Sequence, residues 1–186
     1  MTTTLLFPDN TVLVNFAHIK RVDLLQHIMS GRAAWCATVA WECERSAAEP
    51  GLESMSDFAQ TLGEPLYPET PGEHLQVRIL RDELAAPGDG PTKHLGEAET
   101  LAIIMSRGLE AVFVTDDGGA RRLAAARSIR CYTTWDMLKL AGRIKIVDPD
   151  ALWGYVQLLR ALGRGGPSEV RDRRSFEVWL GSSAQS

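Results

Sequence analysis

The sequence predicts an α/β fold, a central parallel sheet with helices on its faces, and three observations carry that reading. Short apolar runs and helix-periodic stretches alternate along the chain, which is the pattern of strand–helix–strand units. Acidic residues stand where two of those runs stop, at Asp9 and at Asp116-Asp117. Open sheets of this class place their sites at strand carboxyl ends. The composition, 45% hydrophobic and 24% charged over 186 residues, allows one sizeable core and is too small for two ordinary domains.

Leu5-Leu6-Phe7 reads as a buried strand stopped by Pro8-Asp9-Asn10. Val12, Leu13, Phe16, Ile19, Leu24, Leu25 and Ile28 recur at helical spacing, so a helix or helical pair follows and ends at Gly31. Residues 33–39 read as a second buried strand, with helical character returning through Glu42. Four prolines between Glu49 and Pro71 leave room for one short helix near Ser56–Leu62. His74–Ala85 is a helix with Leu75, Ile79 and Leu80 as its apolar stripe, and residues 87–91 form a loop.

The next segment is the most regular. Leu95–Glu99 leads into a helix through Ser106, with acids in the first turn suiting its positive end and Gly108 closing it. Strands follow at 111–115 and 130–133, separated by a helix over 120–127. A helix over 135–141 is expected to stop at Gly142. The sequence therefore divides into a main domain, residues 1–147, and a helical extension with a flexible tail, residues 148–186. In the extension, Asp148 starts a helix carried by Leu152, Val156, Leu159 and Leu162, and a second helix runs through Val170, Phe176 and Leu180.

Charge and cysteine content narrow the function. A net charge of -4 and a pI near 5.6 argue against a strongly basic nucleic-acid binder, so any RNA-binding face must be a local basic patch. Three cysteines without CxxC spacing point to buried free thiols in a reducing cytoplasm. The N-terminus shows no basic start or long apolar core, so no secretion signal is expected. No run approaches the roughly 20 apolar residues of a membrane span.

The chemistry-bearing residues are carboxylates: Asp9, Glu42, Glu97 or Glu99, and Asp116 or Asp117. Each has an ordinary reading alone. Asp9 can cap a helix, Glu97 and Glu99 can be first-turn acids, and Asp116-Asp117-Gly-Gly can be a turn. As a set they suit Mg²⁺ or Mn²⁺, hard cations that prefer oxygen ligands. Carboxylates around such ions activate water and steady a leaving oxygen in phosphodiester cleavage. Glu97 and Glu99 point about 200° apart on a helix, so both are not expected at one metal.

Four stretches carry a family resemblance. Leu6-Phe7-Pro8-Asp9-Asn10 resembles the opening of PIN domains, and Thr38-Val39-Ala40-Trp41-Glu42 resembles their second segment. Leu95-Gly96-Glu97-Ala98-Glu99 is similar to the Gly-Glu-Ala-Glu stretch of one branch. Val112–Asp117 with Ala120-Arg121-Arg122-Leu123-Ala124 resembles the closing acidic motif. The resemblance spans roughly residues 5–145 and leaves the extension without a counterpart. It implies a three-layer α/β/α fold and a Mg²⁺-dependent (or Mn²⁺-dependent) endoribonuclease. It also implies a homodimer, acting as the toxin of a type II toxin–antitoxin system with a small antitoxin partner; the cytoplasmic expectation comes instead from the lack of a secretion signal or membrane span. Metal ligation would fall to Asp9, Glu97 and Asp117, with Glu99 and Asp116 as alternatives. Glu42 would bind metal or orient water, and Thr115 would hold a carboxylate or a metal-bound water. The family spacing, one residue between Thr and Asp, favours Asp117. A non-catalytic binding module and a processing nuclease without antitoxin are the other readings.

The remaining features are weaker. Lys20-Arg21, Arg32, Lys93-His94 and Arg121-Arg122 are either phosphate contacts or solvated charges. The four histidines show no metal spacing, and the five tryptophans read as core or interface.

Overall fold

The computed structural model describes residues 3–182, and its sheet is built from three parallel strands in the order β1 (Leu5–Pro8), β2 (Ala111–Val114), β3 (Arg130–Tyr132). The registers pair Leu6 with Val112 and Phe7 with Phe113, then Phe113 with Cys131. Between β1 and β2 the chain forms α1 (Asn10–His18), α2 (Val22–Met29), α3 (Ala37–Ala47), a 3-10 turn (Glu53–Ser56), α4 (Asp57–Leu62), α5 (Pro71–Leu84) and α6 (Leu95–Ser106). After β2 come α7 (Gly118–Ala126), β3, α8 (Thr134–Arg143), α9 (Pro149–Ala161) and α10 (Arg173–Gly181).

Strand side chains alternate between two faces, and here each face meets its own core. Leu6, Val112 and Val114 pack with α1, α2, α3, α8, α9 and α10. Phe7 and Phe113 pack with Val77 and Leu80 of α5, Leu101 and Ala102 of α6, and Ala120 and Ala124 of α7. Helices on both faces are compatible with α/β/α layering. Helix α1 is buried from Val12 through Ala17, so it is an internal helix rather than an amphipathic surface one.

The structure corrects five details of the sequence reading. Residues 33–39 are not a strand: Ala33 makes one isolated bridge to Leu6 and Cys36 one to Leu66. The N–H of Ala37 then donates to the Leu66 carbonyl (2.9 Å) as α3 begins, so the apolar run is used for packing rather than for a ladder. The stripe of α5 is Glu73, Val77 and Leu80, while Leu75 and Ile79 are exposed. Gly142 lies inside α8. A Cβ there would stand 2.8 Å from Leu180 Cδ1 and 2.9 Å from Leu152 Cδ2, so its small size admits α9 and α10 rather than ending the helix. Leu162 is exposed. Of the flexible tail expected over 181–186, Gly181 belongs to α10 and Ser182 accepts a hydrogen bond from Lys139 Nζ (2.9 Å). Residues 183–186 lie outside the described residues.

The extension shares the main core. Leu152, Val156, Leu159, Val170, Phe176 and Trp179 join the same cluster as Leu138 and Ala141 of α8. Among the described residues, no helix is long and apolar enough to cross a membrane. Cys36 and Cys43 are buried free thiols and Cys131 is half-buried.

Candidate metal centre

Asp9 is the first residue past β1 and Thr115 the first past β2, so adjacent parallel strands deliver both to one sheet end. The Asp9 N–H donates to the Val114 carbonyl (2.8 Å), fixing that register. Asp9 caps α1, its Oδ2 accepting from Thr11 Oγ1 (2.6 Å) and more distantly from Thr11 N (3.4 Å) and Thr115 Oγ1 (3.5 Å). Only 2% of its surface is exposed. Burial, and next the negative charge of Glu97, push its carboxyl up to about 7 against the opposing bonds from Thr11. Among the described residues no cation pairs with it.

Helix α3 brings Glu42 to the same place. Its carboxyl is pushed up to about 7 by burial first, then by the charges of Asp9, Glu97 and Glu99, with Arg45 opposing. The packing of α3 on α6 depends on Gly96: a Cβ there would meet Val39 Cγ2 at 3.1 Å and Glu42 Oε2 at 3.2 Å. The Gly-Glu dipeptide therefore serves both members, glycine admitting the Glu42 carboxylate and Glu97 facing it.

Glu97 links this group to the β2 end. Its ligand atom and those of His94 and Asp117 lie within 4.8 Å of one another, all three residues half-buried. His94 Nδ1 stands 3.5 Å from Glu97 Oε1, buried and with no hydrogen-bond partner among the described residues. His94 holds a left-handed backbone (φ +64°) at the cap of α6, the turn that aims its ring back at the first turn. Asp117 caps α7, accepting from Ala120 N (2.6 Å) at Oδ1, and its own N–H donates to Thr115 Oγ1 (3.1 Å). Thr115, fully buried, thus bridges Asp9 and the Asp117 backbone.

Two alternatives named from sequence are engaged elsewhere. Glu99 is 7% exposed and uses both oxygens on Thr38, from N (3.0 Å) and Oγ1 (2.7 Å), which anchors the start of α3. Asp116 accepts from Thr134 N (2.9 Å), Thr134 Oγ1 (2.5 Å) and Asn15 Nδ2 (2.8 Å), fastening α8 to α1. Arg164 of the extension donates to Asn15 Oδ1 (2.7 Å) and supports that fastening. The fold therefore assembles Asp9, Glu42, Glu97, Asp117 and Thr115, and gives Glu99 and Asp116 structural partners.

Sequence reasoning missed His94 and dismissed the histidines as lacking metal spacing. His94 and Glu97 are three residues apart in sequence, and the left-handed backbone of His94 at the cap of α6, which spacing alone does not show, brings the ring to Glu97. Of the basic candidates, Arg21 pairs with Asp23 (2.9 Å), Lys93 with Asp89 (2.6 Å), and Arg32 donates to the Ile28 carbonyl. Arg45 and Arg122 make no ion pair among the described residues, and Arg122 Nη1 lies 3.4 Å from where a Gly118 Cβ would sit, beside Asp117.

In comparisons with known proteins, no family model matches the chain and no curated protein is significantly similar to it.

Proposed function

We propose that this protein is a divalent-cation-dependent endoribonuclease with a PIN-like arrangement, its centre formed by Asp9, Glu42, Glu97 and Asp117. One observation carries the proposal. The carboxylate of Glu97 on α6 lies close enough to Asp9, past β1, and to Glu42 on α3 to raise the proton affinity of both, and among the described residues neither Asp9 nor Glu42 has an ion-pair partner. Like charges so arranged are tolerated when a cation shares them. The donor set fits Mg²⁺ or Mn²⁺, being mainly carboxylate oxygen, and the nearby imidazole of His94 favours the softer Mn²⁺ of the two.

Glu97 and Asp117, whose ligand atoms lie with that of His94 within 4.8 Å of one another, would hold the ion, with Asp9 beside Glu97 as a further oxygen donor. When bound it would activate water and steady a leaving oxygen. The residues of the chain have separate tasks. Thr115 orients Asp9 by hydrogen bond and sets the turn that presents Asp117. Glu42, with Asp9 and Glu97 beside it, is placed to accept a proton from attacking water. Arg122, beside the Asp117 turn, is placed to meet a substrate phosphate. RNA as the substrate, a homodimeric assembly and a toxin role with a small antitoxin rest on the sequence resemblance alone.

The test is cleavage of total RNA with Mg²⁺, Mn²⁺ or a chelator. Wild-type protein should cut with metal only, and Asp9→Asn should lose at least about 100-fold in rate, with circular dichroism unchanged. Absence of cutting by wild type with either metal, or full activity in Asp9→Asn, overturns the proposal.

A further inference from the structure

Trp41 departs from the core or interface role expected of the tryptophans. It is 50% exposed, while Trp35 and Trp179 are buried and Trp135 and Trp153 are half-buried. It directly precedes Glu42 on α3. The Arg45 guanidinium lies 4.7 Å from its ring centroid, an arrangement that holds the indole in place on the surface.

The ring forms one wall of a recess of about 350 Å³, completed by Ala37, Thr38, Glu42, Thr92 and Leu95. A second recess of about 210 Å³ is lined by Asn10, Glu42, Arg45, Ser46 and Glu49. Glu42 lines both, so both recesses adjoin the carboxylate centre. In the smaller recess Asn10 carries a buried Oδ1 with no hydrogen-bond partner among the described residues. Its Nδ2 donates to Ser46 Oγ (3.1 Å), which also lines that recess.

We infer that the Trp41 recess is a nucleotide subsite that takes an unpaired base of single-stranded RNA next to the phosphodiester to be cut. The inference rests on the nuclease reading above. Its volume lies at the lower end of small-ligand sites, suited to one base and too confined for a helix of a partner protein. The chemistry agrees. An exposed indole offers a stacking face to any base, and Leu95 and Ala37 supply an apolar floor. Arg45, free of ion pairs among the described residues, gives the adjoining phosphate a cation that the overall charge of -4 otherwise withholds.

Binding of a short fluorescein-labelled single-stranded RNA is measured by anisotropy in the Asp9→Asn background, with KM and kcat measured in otherwise wild-type protein. Trp41→Ala should weaken binding and raise KM by about tenfold, while Trp41→Phe stays within about threefold because it keeps a ring. Tyr67→Ala, which removes another exposed aromatic (59% exposed), should change neither. If wild type cuts RNA and Trp41→Ala matches it in KM, the subsite is wrong and the nuclease reading stands. If a duplex of the same sequence loses as much affinity as the single strand, base stacking is overturned. If wild type neither cuts nor binds RNA, both readings fall, and an apolar partner surface takes their place.

Discussion

Asp9 and Glu73 are both buried carboxylates, 2% and 5% exposed, yet they sit in opposite electrostatic settings. Glu73 receives Arg107 Nε at 2.7 Å and the N–H groups of Glu69 (2.6 Å) and Thr70 (3.2 Å). The Arg107 guanidinium, first among these, holds its carboxyl down to about 2. Asp9 receives hydroxyl and backbone donors, faces other carboxylates, and is pushed up to about 7. A buried acid given a guanidinium is complete within the fold. One given more acids needs a cation from outside, and that contrast separates the structural acids of this chain from the candidate functional ones.

The largest effect should appear as opposite pH dependences. The folded-state pKa of Asp9 lies above its unfolded value of 3.8, so the unfolded state binds fewer protons between about pH 4 and 7. Stability contributed by this site therefore falls as pH rises through that window and stays low above it. Asp9→Asn, which retains a capping oxygen, should make the metal-free protein more stable at pH 8, by roughly 4 kcal/mol at most. Part of the slope should persist through Glu42, also raised to about 7. Glu73 has the reverse sign: its contribution is present above the ordinary carboxylate range and is lost as pH falls toward about 2. Chemical denaturation across pH in chelator, on wild type, Asp9→Asn and Glu73→Gln, reads both. Equal slopes in wild type and Asp9→Asn between pH 4 and 8 would dissolve the contrast.

Next in size are the effects on cation affinity. Added Mn²⁺ at pH 8 should raise the Tm of wild type, since a ligand bound only by the folded state stabilises it. Glu97→Gln should abolish that shift. Gly96→Ala should weaken Mn²⁺ by about tenfold, as a change in the surroundings of a ligand does, because its Cβ would stand 3.2 Å from Glu42 Oε2. Glu99→Gln should instead cost about 1 kcal/mol of stability through its bonds to Thr38 and leave the Mn²⁺ shift in place. Loss of the shift in Glu99→Gln and its survival in Glu97→Gln would exchange their roles.

The sheet ends were legible because a strand-stopping Pro8-Asp9 and the Thr115-Asp116-Asp117 turn are local signals that need no tertiary knowledge. Residues 33–39 were misread for the converse reason. An apolar run of that length suits a buried strand or a helix entry alike, and only the Leu66 backbone, 29 residues on, decides that Ala37 starts a helix. The choice between Asp116 and Asp117 depends on Asn15 and Thr134, both distant in sequence. Gly142 reads locally as a helix stop, while its role is set by Leu152 and Leu180. His94 pairs with an acid rather than with another histidine, and the left-handed backbone that aims its ring at Glu97 has no local signature in the sequence.

The smallest expected effect tests the structural side of the comparison. Thr70 and Glu73 form a capping box at the start of α5, Thr70 Oγ1 accepting from Glu73 N (3.1 Å) and Glu73 accepting from Thr70 N. The same Glu73 holds Arg107, the capping residue of α6, so one carboxylate ties the start of α5 to the end of α6. Thr70→Ala removes the hydroxyl and leaves that ion pair, and should cost about 1 kcal/mol. Because Glu73 then carries the junction alone, the acid-side dependence assigned to it should remain visible in Thr70→Ala and disappear in Glu73→Gln. The Mn²⁺ shift should be untouched in Thr70→Ala, since α5 contributes no carboxylate to the centre. A variant that lost both stability and Mn²⁺ response would show that the α5–α6 junction positions Glu97, and the two classes of buried acid would then be coupled rather than separate.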